Sequence, residues 1–176
     1  MSDNSAPPVL SVVGYTDSGK TTYLEKLIPA LKKRGIKLCV IKHDAHSFDM
    51  DTPGKDSWRL TQAGADITVV SSPAKIAVIE KWEHEENLSA LALRFKGKVD
   101  LILTEGYKRD SALKIEIRRA VNKAREPFCE DEELFAVAGD YDFENHTKTS
   151  VPLLPLDDAA PMADLIMSFL EKGTLK

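Results

Sequence analysis

The stretch Gly14-Tyr15-Thr16-Asp17-Ser18-Gly19-Lys20-Thr21-Thr22 constrains this chain more than any other. From Gly14 to Thr21 it fits G-x-x-x-x-G-K-[ST], a loop whose backbone N–H groups cradle phosphates. Its flanks fit as well. Val9-Leu10-Ser11-Val12-Val13 is a short, apolar, β-branched run that reads as a buried strand. Beyond the loop, Leu24, Leu27, Ile28 and Leu31 recur at helical spacing. Gly14 and Gly19 let the backbone curl so that successive N–H groups point inward. The following helix adds the positive end of its dipole. Lys20 is then placed to reach β- and γ-phosphates, and the Thr21 hydroxyl to ligate Mg²⁺.

The remaining pattern alternates strands and helices. The first helix is expected from Lys20 to Arg34, stopped by Gly35, with a kink or a tightened last turn at Pro29. Ile36 to Ile41 reads as a second strand that delivers Lys42-His43-Asp44-Ala45-His46 to its carboxyl end, the edge where open α/β sheets bind ligands. Asp44 is placed there to hold Mg²⁺ directly or through water. His43 and His46 lack evident further ligands for zinc, so a phosphate contact or a plain loop histidine fits better. The polar loop from Ser47 to Lys55 carries Asp49 and Asp51 and can order around a γ-phosphate, or be ordinary surface. Asp56 reads as the cap of a short helix closed by Gly64.

Two β-type runs, Ile67 to Val70 and Ile76 to Ile79, are separated only by Ser71-Ser72-Pro73-Ala74-Lys75. That gap is too short for a parallel crossover, so an antiparallel hairpin is expected. Its exposed edge is managed by dimerisation or by charge. Asn87 reads as the cap of a helix bearing Leu88, Leu91, Ala92 and Phe95. The apolar strand from Val99 to Gly106 ends in Glu105, which reads as a second metal-side carboxylate; Asp100 starts the strand, away from the ligand edge. Lys114-Ile115-Glu116-Ile117-Arg118 alternates as a half-exposed strand does. Arg118, Arg119, Lys123 and Arg125 form a basic cluster that reads equally as an anion site or as solvated surface. Asn122-Lys123-Ala124-Arg125 ends in Arg and so does not make the guanine-reading N-K-x-D. Leu134 to Asp140 reads as a last core strand, with Asp140 near the base or ribose. Val151 to Leu156 is an extended, proline-limited segment, and an amphipathic helix runs from Pro161.

A length of 176 residues suits one well-buried α/β domain, here from Val9 to Lys176, after a disordered tail over residues 1–8 that lacks the features of a signal peptide. A net charge of −4 argues against a general nucleic-acid binder. No apolar run approaches the roughly 18 residues of a membrane span. Two isolated cysteines, Cys39 and Cys129, make no disulfide framework and point to a reducing cytoplasm.

Several segments together resemble one family. G-Y-T-D-S-G-K-T-T is followed by K-H-D-A-H-S-F-D-M-D-T-P-G-K-D-S-W-R, by A-G-A, by D-L-I-L-T-E-G-Y-K and by K-I-E-I-R. This set is similar to MobB, the molybdopterin-guanine dinucleotide biosynthesis protein B family, over nearly the whole chain from Val9 to Leu170. The resemblance implies a P-loop NTPase fold, a three-layer α/β/α arrangement with a mostly parallel sheet and an antiparallel hairpin extension. It also implies GTP and Mg²⁺ binding, slow hydrolysis at most, a homodimer, and an adaptor role beside the MobA guanylyltransferase, either supplying or stabilising nucleotide or carrying molybdopterin toward a target molybdoenzyme. Gly14 to Thr22 would hold phosphates, Asp44 and Glu105 would lie near Mg²⁺, and His43, His46, Asp51, Lys55 and Arg59 would face the site. Two other readings remain: a P-loop kinase acting on a small acceptor, with a lid from the Arg118 to Arg125 stretch, and an interaction module whose P-loop only holds an anion.

Overall fold

The apolar, β-branched runs become strands, and the segments at helical spacing become helices. In chain order the elements are β1 (Val9–Val13), α1 (Lys20–Lys33), β2 (Leu38–Lys42), α2 (Asp56–Gln62), β3 (Ile67–Ser71), β4 (Ile76–Glu80), α3 (Leu88–Leu93), β5 (Leu101–Glu105), β6 (Leu113–Arg118), β7 (Leu134–Gly139), β8 (Leu153–Pro155) and α4 (Ala160–Glu171). The computed structural model describes residues 5–44, 48–122, 127–140 and 149–175. The chain packs as two compact units, residues 1–43 with 88–176, and residues 44–87.

The first unit is built on a six-stranded sheet in the order β2-β5-β1-β6-β7-β8. Every neighbouring pair is parallel. Parallel strands are covered on both faces, which is why β5, β1 and β7 are apolar almost throughout. Leu10, Val12, Leu101, Leu103 and Ile115 from the sheet pack with Leu24, Leu27 and Leu31 of α1 and with Met162 and Ile166 of α4. A smaller cluster joins Val13, Cys129, Leu134 and Val137. Cys39 and Cys129 are both free thiols; burial pushes both up, Cys129 to about 12.

Helix α1 runs through Pro29 without interruption. It ends as its sequence demands: Gly35 has φ +84°, its N–H donates to Lys32 O at 3.0 Å, and Ile36 N–H donates to Leu31 O at 3.3 Å. That pair of bonds satisfies carbonyls that the helix end would otherwise leave open. Arg34 N–H bonds back only three residues, to Leu31 O, so the tightened last turn is realised.

Three expectations are corrected here, and the extended segment at Val151 to Leu156 is made specific. Residues 5–8 of the supposed disordered tail lie against the sheet: Pro7 is buried, and Pro8 O accepts the Ile102 N–H at 2.9 Å, because proline lacks a donor but keeps its acceptor. The segment around Leu153 is a sixth strand, placed at an edge where its prolines cost no ladder bond. Asp56 is the first helical residue of α2 and Lys55 the cap, so the carboxylate acts on the helix dipole. Strand β6 is not half-exposed. Lys114, Glu116 and Arg118 are all buried beside Ile115 and Ile117. Each charge has a partner: Lys114 Nζ donates to Oε1 of the exposed Glu133 at 2.7 Å and to Asp110 O at 2.9 Å. Arg118 donates twice to Glu116, through Nε at 2.9 Å and Nη2 at 2.8 Å. Glu116 Oε1 also accepts the Phe128 N–H at 3.0 Å.

In the second unit, β3 and β4 form the expected antiparallel hairpin with Val69 opposite Val78. Helix α2 packs on β3, where Thr61 and Thr68 share a hydrogen bond of 2.8 Å. Paired residues in such a ladder share a face, so Ile67, Val69, Ile76 and Val78 line the face opposite Thr68. All four are exposed.

Candidate functional site

Because the strands of the six-stranded sheet all run one way, Val13, Lys42, Glu105, Arg118 and Gly139 end on one edge. The P-loop grows from that edge. Gly14 has φ +147°, and a Cβ there would meet Ile117 O at 2.8 Å and Ser18 Oγ at 2.9 Å. Only glycine lets the loop pass this close to β6. Asp17 at φ +60° and Gly19 at φ +89° turn the chain into α1. The Tyr23 N–H makes the first helical bond, to Gly19 O at 2.8 Å. No side chain caps α1 at Gly19. The first-turn N–H groups, from Lys20, Thr21 and Thr22, therefore face the loop's hollow as donors for an anion. Ser18 is fully buried, with an Oγ that has no partner among the described residues. Uncapped N–H groups beside a buried orphan hydroxyl fit a phosphate.

Lys20 folds over this hollow. Its Nζ donates to Gly14 O at 3.1 Å and to Tyr15 O at 2.8 Å. Burial lowers its pKa; Glu105 and Asp17 oppose the shift, while Lys108 and Lys42 add to it. Those four charges thus surround the lysine. Thr16, Asp17 and Thr22 are exposed on the loop and the first turn. Tyr15 is half-buried, and its ring meets Phe128 edge-on, 5.2 Å between centroids.

Thr21 and Glu105 are brought together. The Thr21 hydroxyl donates to Glu105 Oε2 at 2.8 Å, across from α1 to the end of β5. Hydroxyl and carboxylate are hard oxygen donors that suit Mg²⁺, which needs only one or two protein ligands when phosphates and water supply the rest. The other carboxylate oxygen, Oε1, lies 3.9 Å from Lys42 Nζ. Asp100, at the opposite end of that strand, accepts the Lys37 N–H at 2.7 Å and stays away from the site.

His43 follows β2. Its N–H donates to Glu105 O at 2.9 Å, and its ring tilts against Tyr107 at 4.5 Å between centroids. Gly106, at φ +104°, keeps this contact open, since a Cβ would lie 3.1 Å from His43 O. His46 lies outside the described residues. Among the described residues no group of three or more His, Cys, Asp or Glu side chains could hold a metal ion by itself. Asp44 is exposed at the start of the second unit. In that unit Asp51 Oδ1 accepts Thr52 N–H at 2.8 Å and Ser57 Oγ–H at 3.0 Å, while its buried Oδ2 has no partner among the described residues. Lys55, the N-cap of α2, and Arg59, in the middle of that helix, are both exposed.

At the far side of the edge, Asp140 follows β7. Its Oδ1 accepts the Ala120 N–H at 2.6 Å and its Oδ2 the Arg119 Nε–H at 3.0 Å. The basic cluster is divided: Arg118 is buried on Glu116, Arg119 is paired with Asp140, and Lys123 and Arg125 lie outside the described residues. A lid arginine is therefore not available at Arg118. Sequence reading missed Lys42, Phe128 and Glu116. Lys42 was findable only through the register that sets it opposite Glu105, and Phe128 carries no signal in its own stretch.

Comparison with known proteins agrees with this geometry. A family model described as molybdopterin guanine dinucleotide synthesis protein B, MobB, matches residues 9–140. A molybdopterin-guanine dinucleotide biosynthesis adapter protein of Escherichia coli K12 is similar, with 38% identity over 98% of each chain. The Haemophilus influenzae protein of the same name is 37% identical over 95% of this chain and 92% of its own. The crystal structure of Bacillus subtilis MobB superposes with a TM-score of 0.73 at 25% identity, covering 96% of this chain and 98% of that one. A family match that includes the loop, the Glu105 strand and β6, together with relatives aligned almost end to end, means that this chain belongs to the MobB family.

Proposed function

We propose that this chain is an adapter in molybdopterin-guanine dinucleotide biosynthesis that binds GTP with Mg²⁺ in its P-loop. The observation that carries the reading is the Thr21–Glu105 bond beside an uncapped α1, in a chain whose relatives are named as adapters of that pathway. The loop from Gly14 to Thr22 takes the phosphates, and Lys20 leaves the Gly14 and Tyr15 carbonyls for the β- and γ-oxygens. Thr21 and Glu105 hold the metal. Asp140, at the end of β7, serves the base or ribose. The guanine of the pathway's product supports GTP over ATP.

Hydrolysis is slow on this reading. Rapid GTPases orient water with a dedicated residue and often borrow an arginine from a partner. Gln62, the only glutamine, lies on α2 in the second unit. The exposed hairpin face supports a homodimer. A MobA-type guanylyltransferase is the partner that the adapter role requires, with molybdopterin as carried ligand, in the cytoplasm. No helix among the described residues is long and apolar enough to cross a membrane.

Calorimetric titration with GTP and ATP, with and without Mg²⁺, tests the reading. A Mg²⁺-dependent preference for GTP that Lys20→Ala abolishes in the folded protein is expected. Preference for ATP would bring a small-acceptor kinase forward. Equal, weak binding of GTP, ATP and phosphate would leave an anion-stabilised interaction module.

A further inference from the structure

The nucleotide site as built above gives Lys42 no role, although its position is specific. Lys42 is the last residue of β2, in register with Glu105 on β5, and its side chain is 66% exposed. Its Nζ lies 3.9 Å from Glu105 Oε1. That is an ion pair at the long limit, beyond the roughly 2.7–3.2 Å of a hydrogen bond, so the ammonium is only loosely committed. Lys20 already feels Lys42 as a lowering influence on its own pKa, which puts both ammonium groups in one electrostatic neighbourhood.

The sheet order fixes what lies on each side. A P-loop cradles the α- and β-phosphates over its own backbone, here above β1 and the start of α1. Thr21 and Glu105 would hold a Mg²⁺ ion, which would offset the negative charge of the outer phosphates at that place. The γ-phosphate therefore extends toward β5, and the next strand beyond β5 is β2. With its charge offset by a bound cation, the Glu105 carboxylate would attract Lys42 less, which would leave the ammonium available to a terminal phosphate.

We propose that Lys42 reads the terminal phosphate of the bound nucleotide and is the residue by which this chain tells a nucleoside triphosphate from a diphosphate. The inference rests on the nucleotide-binding reading above and assigns a specificity to that site. Lys42 is exposed at the end of an edge strand, so its replacement leaves the core untouched.

The test is calorimetric titration of the full chain with Mg·GTP and with Mg·GDP, for the native protein, Lys42→Met and Lys42→Arg. One charge-assisted bond made only to the γ-phosphate predicts that Lys42→Met weakens Mg·GTP by about tenfold or more and leaves Mg·GDP within about threefold. Lys42→Arg keeps the preference for the triphosphate. If Lys42→Met shifts both nucleotides by the same factor, Lys42 acts only on Glu105 and the inference is overturned. A native protein that binds both nucleotides equally also overturns it. A native protein that binds neither removes the nucleotide-binding reading itself, and the inference goes with it.

Discussion

Strand β6 and the β3–β4 hairpin treat polarity in opposite ways. In β6 the charged residues Lys114, Glu116 and Arg118 are inside. In the hairpin the apolar residues Ile67, Val69, Ile76 and Val78 are outside. The difference lies in the neighbours. Strand β6 is flanked by β1 and β7, and every buried charge finds an oppositely charged or carbonyl partner within 3 Å. The hairpin is a two-stranded sheet with α2 packed on it, and its face opposite Thr68 meets nothing in its own unit that buries it. Burial here follows from what a segment packs against, and polarity is then satisfied or left bare accordingly.

The comparison breaks most visibly at Arg118. Truncation to Met leaves the Glu116 carboxylate buried with only the Phe128 N–H, and costs about 3–5 kcal/mol. Urea unfolding measures it. The double change Glu116→Leu with Arg118→Leu removes both charges and is expected to cost less than Arg118→Met alone, since an apolar pair often replaces a buried ion pair at little loss. If the double change costs as much or more, Glu116 matters chiefly for holding Phe128, and hence the edge of Tyr15 in the P-loop.

A smaller effect calibrates the same strand. Ile115 is fully buried between the two charges that flank it. Ile115→Val removes one methylene from a close-packed site and costs about 0.5–1.5 kcal/mol by the same unfolding measurement. An effect below that range would mean that the core around β6 collapses onto the gap, and that the ion pairs, more than the packing, hold the strand in place.

What was legible in the sequence follows the same division. The loop from Gly14 to Thr21 was readable because phosphate chemistry dictates its glycines, and the Thr21–Glu105 juxtaposition because parallel strands deliver their ends to one edge. The hairpin was readable from the five-residue gap between its strands, which permits no crossover. Strand β6 was misread because alternation of Lys, Ile, Glu, Ile and Arg is the mark of a half-exposed strand when each charge is taken alone. Its partners, Glu133 and Asp110 for Lys114, come from elsewhere in the chain, and a single segment cannot announce them. The placement of Lys42 beside Glu105 was hidden for the same reason: it depends on a register with β5, some sixty residues later in the chain.

The smallest expected effect on the folded monomer is also the one that separates the two regions most cleanly. Val69 and Val78 are opposite one another and about half exposed, at 52% and 57%. Replacing both by Thr keeps the β-branched shape that suits a strand and removes apolar surface that the monomer does not bury. Monomer stability, read by unfolding at high dilution, is therefore expected to change by no more than about 0.5 kcal/mol. Association is expected to change far more, because an apolar face this regular gains its stabilisation only when a second copy covers it. Sedimentation across a range of concentrations distinguishes the cases. A native dimer that the double substitution converts to monomer, with unfolding at high dilution unaltered, makes the hairpin an interface between copies. A dimer that survives the substitution places the contact elsewhere on the molecule. A monomer destabilised as strongly as by Arg118→Met would mean that the hairpin face is buried within one chain after all, and that the contrast with β6 is false.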